Sequence, residues 1–130
     1  MKENKISVLI NAPVSFVYDF TINRKNTHEW IKSIQKEETN EWPVKIGSIY
    51  RNTSDGKNWD EYGLTDLEEN KLFKLEKKNS SYVVEYHYKE ISPSVTELTY
   101  FEYEENLQNP FEQSVLGGLK VIIEERYKNQ

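Results

Sequence analysis

The stretch Ile6-Ser-Val-Leu-Ile-Asn-Ala-Pro13-Val-Ser-Phe-Val-Tyr18-Asp-Phe20 changes its hydrophobic period at a proline, and no other feature constrains the fold as tightly. Ile6, Val8 and Ile10 alternate with Lys5, Ser7 and Asn11, the period of a half-buried strand, with Leu9 as the exception. Pro13 suits the first turn of a helix, where its missing N–H needs no partner and its fixed φ is already helical. Val14, Val17, Tyr18 and Thr21 then follow at helical spacing. A strand feeding directly into a helix is therefore the first unit of the fold.

At 130 residues the chain suits one domain, residues 1–130, that buries roughly two thirds of its extended surface. Aromatic residues make up 13% of it, which argues against disorder. A net charge of −5 with scattered lysines and arginines gives no basic stripe, so nucleic acid is not an expected partner. The chain has no cysteine, which excludes disulfides and thiolate chemistry. Its first residues lack the apolar core of a signal peptide and no run of about 20 apolar residues occurs, so the expectation is a cytoplasmic protein with no membrane span. Monomer and homodimer both stay open.

Asn23 is a candidate cap for a second short helix running to Trp30 and Ile31. Strand signals follow over Gln35–Glu41, Ser48–Thr53, Trp59–Glu68, Leu72–Lys77, Tyr82–Glu90 and Val95–Glu104, separated by turn-forming clusters such as Asp55-Gly56 and Ser92-Pro93-Ser94. Short turns between consecutive strands make an antiparallel meander. Asn109 as cap, Pro110 at the first position and Glu112 three residues on predict a last helix from Asn109 to Gln130, roughly 30 Å long. Val115, Leu116, Leu119, Ile122, Ile123 and Tyr127 trace its apolar face. The expected class is α+β: an antiparallel sheet of about six or seven strands, two short helices after the first strand, and a long C-terminal helix packed across it.

Alternation turns Tyr82, Val84, Tyr86 and Tyr88 inward on the sixth strand, and Phe73 and Leu75 on the fifth. On the third, fourth and seventh strands the facing is ambiguous, because Tyr100 and Phe101 are adjacent, as are Asp60, Glu61 and Tyr62.

This pattern resembles the helix-grip domains of the START-like, or SRPBCC, superfamily, nearest to the polyketide cyclase/dehydrase and lipid-transport type. The residues that carry the resemblance are Ile10-Asn-Ala-Pro13 with Val17-Tyr18, then Trp30, Val44-Lys-Ile-Gly47-Ser-Ile-Tyr50, Thr96-Glu-Leu98-Thr99, and Leu119-Lys120 with Ile123-Glu124. It implies a sheet curved around the last helix, with a cavity between them for a small hydrophobic or aromatic molecule. It transfers no catalytic set, because its marks identify a fold and not a reaction.

His28 and His87 are the only histidines, too few for a zinc site of ordinary type, and neither a metal nor an organic cofactor is expected. His87 falls on the predicted wet face, and His28 reads as a helix-surface residue. The Gly-x-Ser-x-Gly elbow and glycine-rich phosphate loops are absent. Trp30, Tyr50, Trp59, Tyr86, Tyr88 and Tyr100 form an aromatic set that reads either as core or as pocket lining, since several buried hydroxyls need partners. Gly117-Gly118 costs the last helix about 2 kcal/mol relative to alanines, so Leu116 and Gly117 are candidates for the place where the helix leaves room for a ligand, with close packing or a kink as the alternative.

The leading expectation is binding of a small apolar or aromatic molecule without catalysis. A cyclase, dehydrase or hydrolase using cavity tyrosines and Glu61 is the enzymatic alternative. The third reading is a protein-interaction module of the chaperone-activator type, which would show a broad exposed apolar patch.

Overall fold

The computed structural model describes residues 1–130. In chain order its elements are β1 (Lys2–Ile10), α1 (Val14–Ile22), α2 (Thr27–Trp30), β2 (Lys36–Thr39), β3 (Ile49–Thr53), β4 (Trp59–Glu68), β5 (Leu72–Lys77), β6 (Val83–Ser92), β7 (Val95–Glu104) and α3 (Gln113–Lys128). The strands form one sheet in the order β1-β7-β6-β5-β4-β3-β2, antiparallel throughout. Strands β3 to β7 follow one another by short turns and β2 joins β3 through the loop of residues 40–48, whereas β1 pairs with β7 at the far edge. Helices α1 and α2 therefore carry the chain from one edge strand to the other over a single face.

β1 pairs Ile6 with Tyr100, Val8 with Leu98 and Ile10 with Thr96, so its alternating apolar residues enter the core. Leu9 points the other way and is 52% exposed, as its break in the alternation requires. Ala12 is fully buried and its carbonyl accepts a 2.8 Å hydrogen bond from the Thr96 hydroxyl. Pro13 stands at the cap rather than inside the first turn, and its carbonyl receives the N–H groups of Phe16 and Val17. Asn23 does not cap α2: it is the residue that closes α1, its side chain accepts the Lys25 N–H in a turn, and α2 begins four residues later at Thr27.

The last helix also starts late. Asn109 has φ +54°, in the left-handed region, and Glu112 is the extended residue that precedes α3. The capping box expected from Asn109 and Glu112 does not form. Tertiary contacts hold the segment extended instead: the Phe111 N–H donates to Glu102 at 2.8 Å, the Phe111 carbonyl accepts from Asn4, and the Phe111 ring stacks on Tyr100 with centroids 4.7 Å apart. α3 has 16 residues, about 24 Å at 1.5 Å per residue, shorter than the span read from Asn109. Its Leu116, Leu119 and Ile123 are fully buried, and its nearest backbone neighbours are β1, α1 and α2.

Candidate functional site

The inward faces of β3 to β7 form the floor of a cavity of about 420 Å³. On β6 the alternation holds, with Val84 and Tyr86 buried while Glu85 and His87 pair on the outer face. β5 adds Phe73 and Leu75, β4 adds Asp60 and Tyr62, and β3 adds Asn52. β7 brings Tyr100, Glu102 and Glu104 to the same side, so Phe101 points outward, where the Lys5 ammonium lies over its ring. The roof consists of Thr27, Ile31 and Ile34 from α2 and its exit, and of the extended segment Gln108–Phe111.

Pairing breaks register between Leu64 and Asp66 on β4, which explains why simple alternation could not orient this strand. Before the break Asp60, Tyr62 and Leu64 share the inner side, and after it Leu67 does.

The polar groups of the cavity are held in two sets. Glu37 on β2 accepts from the Thr27 hydroxyl at 2.6 Å and from the Asn52 amide at 3.2 Å. Burial raises its pKa above the ordinary carboxylate range, against those two hydrogen bonds. Glu102, 2% exposed, accepts from the Tyr82 hydroxyl at 2.8 Å, from Asn4 at 2.9 Å and from the Phe111 N–H. Tyr86 lines the same cavity, 5% exposed, and its hydroxyl has no hydrogen-bond partner in the protein. Its pKa is raised by burial and by the neighbouring Tyr88 and Glu37, so the hydroxyl stays protonated and able to donate. Burial likewise pushes Tyr62 up to about 12.

Of the residues singled out from the sequence, Tyr86 and Tyr100 line the cavity. Trp30, Tyr50 and Tyr88 are buried behind its wall: Trp30 meets Tyr86, Tyr100 and Phe111 edge-on, Tyr50 donates to the Ile22 carbonyl at 2.6 Å, and Tyr88 shares a 2.6 Å hydrogen bond with Thr21. Trp59 and Glu61 lie on the outer face, because Asp60 and Tyr62 take the inner positions. Trp59 carries the Arg51 guanidinium over its ring at 4.3 Å, and Glu61 pairs with Lys78 at 3.4 Å.

No residue of α3 lines the cavity. Leu116 is buried in the helical core, and a Cβ on Gly117 or Gly118 would meet nothing within 4 Å. The glycine pair therefore neither opens a pocket opposite Tyr86 and Tyr88 nor permits a close approach. The cavity lies under α2 and the Gln108–Phe111 segment, not under the long helix.

Sequence reasoning missed Glu37, Asn52, Thr27, Tyr62 and Glu102 as site residues. Glu102 carried a usable signal, since it follows Thr96, Leu98 and Tyr100 at strand period and so puts a carboxylate on an inward face. Glu37 carried none, because β2 is only four residues long. No group of three or more His, Cys, Asp or Glu is placed to hold a metal ion, and no helix is long and apolar enough to cross a membrane.

The whole arrangement is similar to several solved structures. XoxI from Bacillus cereus superposes with a TM-score of 0.72 over 99% of this chain and 97% of its own, at 8% identity. CV1439 from Chromobacterium violaceum gives 0.71 over 95% and 99%, at 11% identity. Ara h 8.0201 gives 0.63 over 99% of both chains, at 13% identity. No family model matches the chain, and no curated protein matches its sequence. These likenesses establish the class of fold. It is a helix-grip fold, with a seven-stranded antiparallel sheet, short helices after β1 and a long C-terminal helix.

Proposed function

We propose that this protein binds a small, largely apolar or aromatic molecule in the cavity between the sheet, α2 and the Gln108–Phe111 segment. The observation that carries the reading is a space of about 420 Å³ floored by Phe73, Val84 and Tyr100, into which Tyr86 presents an unpartnered hydroxyl. Ligand cavities commonly hold roughly 300–1,000 Å³ and combine apolar walls with a few fixed polar groups. A hydroxyl on a cavity wall that no protein group engages is free to bond a ligand. The resemblance to lipid-transport and cyclase-type helix-grip proteins supports the same reading.

Fluorescence titration with N-phenyl-1-naphthylamine tests it. Val84→Phe and Leu75→Phe each place added volume in the cavity and are expected to weaken probe binding at least tenfold while the unfolding midpoint moves by a few degrees at most. Unchanged probe affinity in both folded variants would sink the proposal.

One observation favours an enzymatic second reading. Glu37, half-buried and with its pKa raised, is a proton acceptor beside tyrosine hydroxyls, the role the sequence reading gave to Glu61. Native mass spectrometry of protein purified from its own host separates the two: a carried molecule recovered unaltered after incubation supports binding, and one converted to a new mass supports catalysis. A partner-docking role has no comparable support, since of the exposed large apolar residues beyond Met1 only Trp42 and Ile46 share a segment, the loop between β2 and β3, while Leu9, Ile91 and Val121 lie on β1, β6 and α3.

A further inference from the structure

We propose that the cavity selects an aromatic amine, or a comparable organic cation, over an organic acid of the same skeleton; this rests on the ligand-binding reading above. Four carboxylates line the cavity, those of Glu37, Asp60, Glu102 and Glu104. The one cationic side chain that lines it, Lys77, lies 3.7 Å from Asp60 and answers that charge alone. Neither Glu37 nor Glu102 pairs with any lysine or arginine.

The two inner carboxylates are held by neutral donors only. Hydroxyls, amides and one backbone N–H satisfy the oxygens of Glu37 and Glu102 without cancelling their charge. The potential inside the cavity is then set by carboxylates that no cation beyond Lys77 offsets. An entering ammonium would be attracted to it and would favour the ionised form of Glu37, whereas an entering carboxylate would add a further anion of the same sign.

Tyr86 is a second, independent mark of a ligand, since the residue is 5% exposed, lines the same space and has a hydroxyl with no hydrogen-bond partner in the protein. Phe73, Val84, Tyr86 and Tyr100 offer flat apolar surface to a ring, and an ammonium over such rings gains a further attraction. The chemistry of the cavity thus favours a ring that carries a positive charge.

The test is displacement of N-phenyl-1-naphthylamine at pH 7 by three indoles that share one skeleton: tryptamine, 3-ethylindole and indole-3-propionate. Tryptamine is expected to bind at least tenfold more tightly than 3-ethylindole, and indole-3-propionate most weakly. Glu37→Gln should remove most of the amine preference while holding 3-ethylindole within about twofold. Glu61→Gln on the outer face changes net charge equally and should leave the preference intact, which separates a local effect from the overall charge of −5.

Should Glu37→Gln fail to fold, Glu104→Gln at the rim takes its place, with a smaller fall in preference expected. Equal affinities for the three indoles, a preference for the acid, or a preference that Glu37→Gln and Glu61→Gln reduce alike would each overturn the charge inference while leaving the cavity reading intact. Probe binding that ignores Val84→Phe and Leu75→Phe would instead overturn the cavity reading, and this inference with it.

Discussion

The two ends of the sheet are covered in different ways. Under α1 and α3 the core is dry, with Ile10, Val17, Leu98, Leu116, Leu119 and Ile123 all at 0% exposure. Under α2 and the Gln108–Phe111 segment the same sheet faces a void edged by tyrosines and carboxylates. Both ends share one backbone and one alternation, so the strands alone do not explain the difference. Branched aliphatic side chains from a long helix fill space completely, whereas flat rings tied by their hydroxyls and a four-residue helix leave gaps.

The largest expected effect is at the dry end. Leu119→Asp would bury an unpaired carboxylate between α3 and β1, which should cost on the order of 4 kcal/mol or more. Urea denaturation should find the variant unfolded or nearly so; a loss under about 1 kcal/mol would mean that the dry end is not dry.

A matched pair of tyrosines compares the two ends directly. Tyr88→Phe deletes the hydroxyl that bonds Thr21 at 2.6 Å and should cost about 1 kcal/mol. Tyr86→Phe deletes a hydroxyl with no protein partner, so stability should hold while probe affinity changes. Equal stability losses for the pair would remove the distinction between wall and cavity.

Gly117→Ala examines the helix itself. Open space surrounds this position, so alanine should raise stability by about 1 kcal/mol through helix propensity and leave N-phenyl-1-naphthylamine binding untouched. Weaker probe binding in this variant would return α3 to the cavity wall.

The smallest effect concerns Glu37. Its folded pKa is raised above the unfolded value, so the folded state holds the proton more tightly and stability is lost as pH rises from about 4.5 through the folded pKa. Chemical denaturation of the wild type and Glu37→Gln between pH 4 and pH 8 should therefore show the stability difference moving in favour of the variant as pH rises. A flat difference would mean that Glu37 is solvated.

Strand limits for β4, β5 and β7 were legible from the sequence because turn-forming clusters bound each run on both sides. The inward set Val84, Tyr86 and Tyr88 was legible because β6 alternates without interruption. Trp59 and Glu61 were misplaced because a register break lies downstream on the same strand, and a one-residue shift exchanges the two faces of a sheet.

What the chain determined by itself was local: the period switch at Pro13, the turns, the apolar stripe of α3. These depend on residues a few positions apart, whose φ preferences and side-chain directions are set by near neighbours. The start of α3 and the place of the cavity were decided only in three dimensions. Asn109 to Glu112 carry good helix-start signals, but Glu102, Asn4 and Tyr100 hold Phe111 extended from positions between 9 and 107 residues away. Contacts at such separation outweigh a capping preference worth about 1 kcal/mol, and the segment they hold back from the helix becomes part of the cavity roof.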